Sequence, residues 1–170
     1  FVYRAMYQKN ARPDIYSYNE WSELYDYLTD LEMHIVRAYE DRVYAQYWAV
    51  MVVHLTSLIR ISDIISLKSL HFEGERYVRA NELIKRPLEL HEAVAITDVF
   101  RHHIELLPTV KTNQLKHYYP VIEVAPTIAA AMCILEYHRI REDDISLFTI
   151  KAADSDRIDD KFDEIPVRFQ

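Results

Sequence analysis

Residues 43–67 read VYAQYWAVMVVHLTSLIRISDIISL and contain the longest apolar run of the chain. Polar residues, among them Gln46 and His54, interrupt this run, which makes it too short and too polar to span a membrane. The second half of the stretch Arg37–Ile59 is apolar nearly all round, as is typical of a helix buried on every side. We therefore predict a long helix over Arg37–Ile59 at the centre of a mainly helical fold.

Helices are also predicted on both sides of this stretch. Ser17 and Glu20 have the spacing of a capping box, and the apolar face behind them consists of Trp21, Leu24, Tyr25, Leu28 and Leu31. Ser62 is expected to cap a short helix whose inward side chains are Ile64, Ile65 and Leu67. A helix that starts near Glu92 and stops at Pro108 has an apolar stripe of Ala93, Ile96, Phe100, His103, Ile104 and Leu107. An alanine-rich helix is predicted over Thr127–Glu142, with Pro126 near its first turn.

The segment between these helices carries the β signal. Residues 71–78 predict two short strands around Gly74, because a tight turn needs a residue that tolerates positive φ. Ile84 and Lys85 are expected in a strand that Pro87 interrupts. The predicted fold class is therefore mainly α with a small antiparallel β-sheet.

Composition limits both the domain organisation and the chemistry. We predict one helical domain over residues 1–150 and an acidic, weakly ordered tail over residues 151–170. Gly74 is the only glycine in 170 residues, so no glycine-rich phosphate loop can be written and no nucleotide cofactor is expected. Cys133 is the only cysteine, which suits a reducing, cytoplasmic location without disulfides. A net charge of −7 disfavours nucleic-acid binding unless the basic residues gather locally.

Arg60 stands out because it is flanked by apolar residues. A guanidinium in such surroundings needs an anionic or carbonyl partner. Two alternatives follow from the sequence: Arg60 pairs with Asp63 or Glu32 and joins two helices, or it holds a phosphate through its planar fork. In either case we expect its side chain to point toward the strands near Gly74 and not into bulk water.

Residues 60–67, Arg-Ile-Ser-Asp-Ile-Ile-Ser-Leu after a long apolar helix, resemble the first arginine box of the tyrosine recombinases, the phage-integrase family. The predicted strands around Gly74 fall where that family has a small sheet carrying a lysine, and Lys85 follows Arg60 by 25 residues. The resemblance covers roughly Tyr16 to Lys85. It implies a recombinase-like catalytic-domain scaffold that binds DNA for site-specific recombination or, without the reaction, for regulation.

The resemblance also implies roles for individual residues. Arg60 would be the first arginine and Lys85 the catalytic lysine, while His138 and Arg141 would form the second box. The chemistry in that family is attack of a tyrosine on a DNA phosphate, without a metal or other cofactor. After Tyr137 the sequence has no tyrosine. The nucleophile of a recombinase would therefore have to come from residues outside this sequence, and this chain alone is not expected to cleave DNA.

The expected partner is double-stranded DNA, with a homo-oligomer on DNA as a further possibility and no membrane partner. The predicted DNA contacts are Arg60, Lys85, Arg86, Lys111 and Lys116. The alternative function is a helical protein-interaction module, or a subunit of a larger assembly, without catalysis; the acidic balance and the aromatic richness favour it. Asp98, His102 and Glu105 have the residue types of metal ligands at helical spacing, but we predict a solvated face and no metal.

Overall fold

The structure is a computed structural model. It describes residues 18–57, 59–68, 80–107 and 120–151, together with Thr109, Gln114 and Tyr118. The α-helices in this part of the chain are α1 (Tyr18–Leu28), α2 (Leu31–Glu40), α3 (Arg42–Leu55), α4 (Ile61–Ile65), α5 (Ala80–Leu83), α6 (Leu90–Leu106) and α7 (Ala125–Arg141). A 3-10 turn, Ile122–Val124, leads into α7. The predicted tail lies almost wholly outside the described residues. Within them, no helix is long and apolar enough to cross a membrane.

Helices α3 and α7 form the centre of the fold. Every residue from Tyr44 to Val53 is buried, and so is every residue from Thr127 to Glu136. The two helices pack against each other; α6 covers a further side of α7, and α2 packs on both. The sequence prediction of a central helix in the apolar run is confirmed, and α7 shares that position because its alanines allow close helix contact.

The bounds predicted for the long helix over Arg37–Ile59 are wrong, because the helix is interrupted at Asp41. The Asp41 backbone is extended (φ −130°, ψ 109°), and its carboxylate accepts hydrogen bonds from the amides of Val43 (2.9 Å) and Tyr44 (3.2 Å). An aspartate that caps two amides in this way begins a new helix. Helix α3 then ends at Leu55, four residues short of the predicted end.

The short helix after Arg60 is confirmed, but its predicted cap is wrong. Arg60 occupies the N-cap position of α4 and makes no side-chain capping bond, while Ser62 lies inside the helix. Ile64 and Leu67 are fully buried as predicted, and Ile65 is half-buried.

The predicted sheet has no counterpart in the described residues, which contain a single antiparallel bridge between Lys68 and Ser146 and no strand. Residues 71–78 lie outside the described part. The strand predicted at Ile84 and Lys85 is wrong: these residues form the turn after α5. The amides of Lys85 and Arg86 donate to the Glu82 carbonyl at 3.0 and 2.9 Å, which continues a helical turn.

Helices α6 and α7 match their predictions within two residues. The buried stripe of α6 contains Ala93, Ile96, Phe100 and Ile104, and α6 ends before Pro108. Pro126 lies in the first turn of α7, where a missing amide hydrogen costs nothing.

An aromatic cluster joins α1, α2 and α3. The indole of Trp48 is fully buried, donates to the Leu28 carbonyl at 2.8 Å and stacks on the His34 ring with centroids 5.3 Å apart. His34 Nε2 donates to the Tyr27 carbonyl, and the Tyr44 hydroxyl bonds Nδ1, each at 2.7 Å. Burial lowers the pKa of His34 below its usual value, so the neutral ring is the form that this cluster holds.

A polar clamp fastens the segment after α7 to the first turn of α3. The Arg42 guanidinium, only 7% exposed, forms ion pairs with Glu142 and Asp144 and donates to the Ser146 carbonyl at 3.1 Å. One turn later, the buried Gln46 carbonyl oxygen accepts from the amides of Thr149 (2.5 Å) and Ile150 (3.1 Å). We call the Arg42 and Gln46 contacts with residues 142–150 the clamp. It positions the chain that follows α7.

The turn that leads into the clamp places Asp143 at positive φ, 55°. The Asp143 amide donates to the Ile140 carbonyl at 3.1 Å, and the Asp144 amide donates to the Arg139 carbonyl at 3.0 Å. This is the Schellman motif, in which the position of Asp143 is usually occupied by glycine. We expect Asp143→Gly to raise the free energy of unfolding by about 0.5 kcal/mol and Asp143→Val to lower it by about 1–2 kcal/mol. Urea unfolding checks both values. Asp143→Asn is the matched control and should be nearly neutral; destabilisation by glycine would contradict the positive φ.

Candidate functional site

Arg60 lies between two anchored neighbours. Ile59 and Ile61 are buried, 5% and 4% exposed, whereas the Arg60 side chain is exposed. Its extended backbone (φ −70°, ψ 149°) turns alternate side chains to opposite sides, so burial of both neighbours sends the guanidinium outward. The expectation that Arg60 avoids bulk water is therefore wrong, and Gly74 lies outside the described residues.

The ion pair that the sequence offered as an alternative for Arg60 is not formed. Asp63 lies within α4 and is only 2% exposed, and neither its carboxylate nor that of Glu32 forms an ion pair or hydrogen bond with the guanidinium. Across the described ranges, Arg60 has no hydrogen-bond or ion-pair partner for its side chain.

Side-chain hydrogen bonds hold the connector between α3 and Arg60 in place. The Thr56 and Ser57 hydroxyls donate back to the carbonyls of Val52 (2.7 Å) and Val53 (2.6 Å). His54 Nδ1 lies 2.9 Å from the Ile59 carbonyl, directly before Arg60. Since a carbonyl oxygen only accepts, Nδ1 carries the proton. Burial lowers the pKa of His54 from its usual value, and the bond to Ile59 offsets part of that effect.

The remaining predicted DNA contacts divide into two groups. Lys85 and Arg86 are exposed in the turn after α5, and neither has a side-chain partner in the described residues. Lys111 and Lys116 lie outside the described residues.

His138 and Arg141 have different environments. His138 is 7% exposed, and its Nε2 donates to the Ala38 carbonyl at 2.7 Å, which joins α7 to α2. Arg141 is exposed and donates to the Tyr137 hydroxyl at 2.7 Å. His138 therefore acts as a packing residue whose ring nitrogen is already engaged, and its predicted second-box role gains no support from this geometry.

A polar cleft of about 450 Å³ lies beside Arg141. It is lined by Tyr39, Glu40, Arg42, Tyr137, His138, Arg141 and Glu142. Arg60 and Lys85 are not among these residues, so of the four predicted catalytic residues the cleft is lined by His138 and Arg141.

Sequence reasoning missed the tyrosine pair in this cleft. The rings of Tyr39 and Tyr137 stack with centroids 4.9 Å apart, and their hydroxyls are 3.3 Å apart. Its hydrogen bonds with Tyr39 and Arg141 lower the pKa of Tyr137 from its usual value. The i, i+4 spacing of Tyr137 and Arg141 was a visible signal for half of this contact; the Tyr39 contact depends on how α2 packs against α7.

Tyr118 precedes the turn that leads into α7, and its hydroxyl is not available as a nucleophile. It is 2% exposed, its ring packs edge-to-face on Phe100 at 5.6 Å, and burial raises the pKa of its hydroxyl. Tyr119 lies outside the described residues.

Potential metal ligands are found at two places on α6. Asp98 and Glu105, two of the three residues noted at this spacing, form ion pairs with Arg101 at 3.7 and 3.3 Å. At the start of α6, ligand atoms of Glu89, His91 and Glu92 lie within 4.8 Å of one another. Glu89 and His91 are strongly exposed, as is common for charged side chains in a first helical turn.

Comparison of the chain with models of protein families, with curated proteins and with solved structures gives no match.

Proposed function

We propose that the chain binds the phosphate backbone of double-stranded DNA through Arg60, on a helical scaffold that resembles part of a tyrosine recombinase. The observation that carries the proposal is the exposed Arg60 guanidinium, which lacks an internal partner among the described residues and projects from a fixed backbone. A guanidinium of this kind suits a phosphate because it donates two parallel hydrogen bonds. Lys85 and Arg86 are further exposed cations, with no side-chain partner in the described part of the chain, and would add phosphate contacts.

The proposal is binding without strand cleavage. Two described tyrosines do not favour attack on a phosphate held by Arg60: Tyr118 is buried, and Tyr137 lines a cleft whose lining residues do not include Arg60. In-line attack requires the nucleophile within about 3–3.5 Å of the phosphorus. We therefore propose phosphate binding without a covalent step.

We expect Arg60→Ala to weaken binding to a fluorescein-labelled duplex about tenfold at low salt, the loss of one charge-assisted contact. The slope of log K against log salt should fall by about one, since one fewer phosphate is neutralised. Fluorescence anisotropy over a salt series measures both.

Arg101→Ala is the matched control for this experiment. Arg101 already pairs with Asp98 and Glu105 on α6, so its loss should leave the affinity and the salt slope unchanged. Equal effects of the two substitutions, or no binding of the unaltered protein at low salt, would contradict the proposal.

A helical protein-interaction module is the second candidate, and a specific observation favours it. Val121 and Ile122 are 58% and 60% exposed beside a cleft of about 240 Å³ between α6 and the turn before α7. Exposed apolar side chains at a cleft are typical of contact surfaces, and the net charge of −7 agrees with a partner other than DNA. The absence of DNA binding at low salt would favour this candidate.

A further inference from the structure

The backbone around Arg60 is held from both sides. The Arg60 carbonyl accepts the amides of Asp63 (3.0 Å) and Ile64 (3.1 Å), which fixes it to α4. On the other side, His54 in the last turn of α3 bonds the Ile59 carbonyl at 2.9 Å. The peptide group that this bond holds is the one joining Ile59 to Arg60.

The His54 bond is separate from the contacts that end α3. Thr56 and Ser57 return their hydroxyls to carbonyls within α3, and the Ser57 Oγ also accepts the Ile59 amide at 3.2 Å. These bonds terminate the helix without the imidazole. His54 therefore makes a further contact whose acceptor lies next to Arg60, and removing it should leave the end of α3 capped.

We propose that His54 is a positioning residue for Arg60: by donating from Nδ1 to the Ile59 carbonyl, it fixes the peptide from which the guanidinium projects toward a phosphate. This inference rests on the proposed DNA binding through Arg60. Its physical basis is preorganisation, because a backbone that is already ordered loses less entropy when the anion binds. His54 itself is half-buried and need not touch the DNA.

Two substitutions of His54 test the proposal. An asparagine carries its Nδ2 one bond from Cγ, as histidine carries Nδ1, so His54→Asn keeps the donor, whereas His54→Leu removes it. We expect His54→Leu to weaken duplex binding about three- to tenfold with a salt slope reduced as in Arg60→Ala, and His54→Asn to bind within about twofold of the unaltered protein. The double variant with His54→Leu and Arg60→Ala should bind no more weakly than Arg60→Ala, because both act on one contact.

The NMR order parameter of the Arg60 amide, measured without DNA, reports the local order of the backbone and so distinguishes a positioning role from a general loss of stability. It should fall in His54→Leu and stay unchanged in His54→Asn, while the thermal midpoints show that both variants fold. If His54→Leu binds DNA like the unaltered protein while Arg60→Ala does not, the positioning role is wrong and the DNA proposal stands. If the unaltered protein binds no DNA, the DNA proposal and the role toward a phosphate both fail, and the order parameter then shows whether His54 orders Arg60 at all. Additive losses in the double variant would also overturn the inference.

Discussion

Replacing Trp48 with alanine is expected to lower the free energy of unfolding by about 3–5 kcal/mol. The indole is 0% exposed, so the substitution leaves a cavity at the junction of α1, α2 and α3. It also removes the donor to the Leu28 carbonyl and the ring on which His34 stacks. Urea unfolding followed by far-UV circular dichroism measures the change.

The other tryptophan of the chain, Trp21, provides a matched control. Trp21 is 36% exposed on α1 and stacks on Tyr25 with centroids 5.0 Å apart. Trp21→Ala should cost about 1 kcal/mol or less, because the rest of α1 stays packed through Leu24 and Leu28. Similar losses at the two positions would show that Trp48 is not the centre of the cluster.

Replacing Gln46 with leucine is expected to lower the free energy of unfolding by about 2–4 kcal/mol, although the two side chains are similar in size. Gln46 is 0% exposed, and its carbonyl oxygen is the acceptor for the amides of Thr149 and Ile150. Leucine removes the acceptor of both part-buried amide bonds and the donor to the Thr149 hydroxyl, and each such hydrogen bond contributes about 0.5–1.5 kcal/mol. In the variant, hydrogen exchange should accelerate at these two amides, whereas exchange in the middle of α7 should change little, because the clamp opens locally.

The variant Thr149→Val separates the contribution of the Thr149 hydroxyl from that of its backbone amide in the contact with Gln46. It removes the hydroxyl that bonds the Gln46 side chain but keeps the Thr149 amide, so the loss should stay near 1 kcal/mol. If Gln46→Leu unfolds at the same urea concentration as the unaltered protein, the amide contacts of the clamp contribute nothing.

The helical part of the fold follows from local patterns. The stripe from Ala93 to Ile104 and the proline at the start of α7 were sufficient to place α6 and α7, because both signals act within one or two turns. The break at Asp41 was missed because the apolar pattern continues across it, although an aspartate before Arg42 is itself a capping signal. The clamp could not be predicted: Gln46 and Thr149 are 103 residues apart, and nothing local connects them.

The candidate site was predicted in its central residue but not in its geometry. Apolar neighbours suggested that Arg60 turns inward, whereas the extended backbone buries Ile59 and Ile61 and turns Arg60 outward. His138 was selected for its spacing to Arg141, yet its bond to Ala38 depends on helix packing. Residue spacing along the sequence indicates candidates, while exposure and partners depend on tertiary contacts.

The central position of α3 has a consequence for synthesis. Its buried surface is covered by α7, and the clamp joins Gln46 of α3 to Thr149 in the segment after α7, 103 positions away. A ribosome therefore releases the apolar surface of α3 long before its cover exists, and folding rates fall as the sequence separation of contacts grows. During that interval the apolar segment from Tyr44 to Val53 is exposed to chaperones and to aggregation.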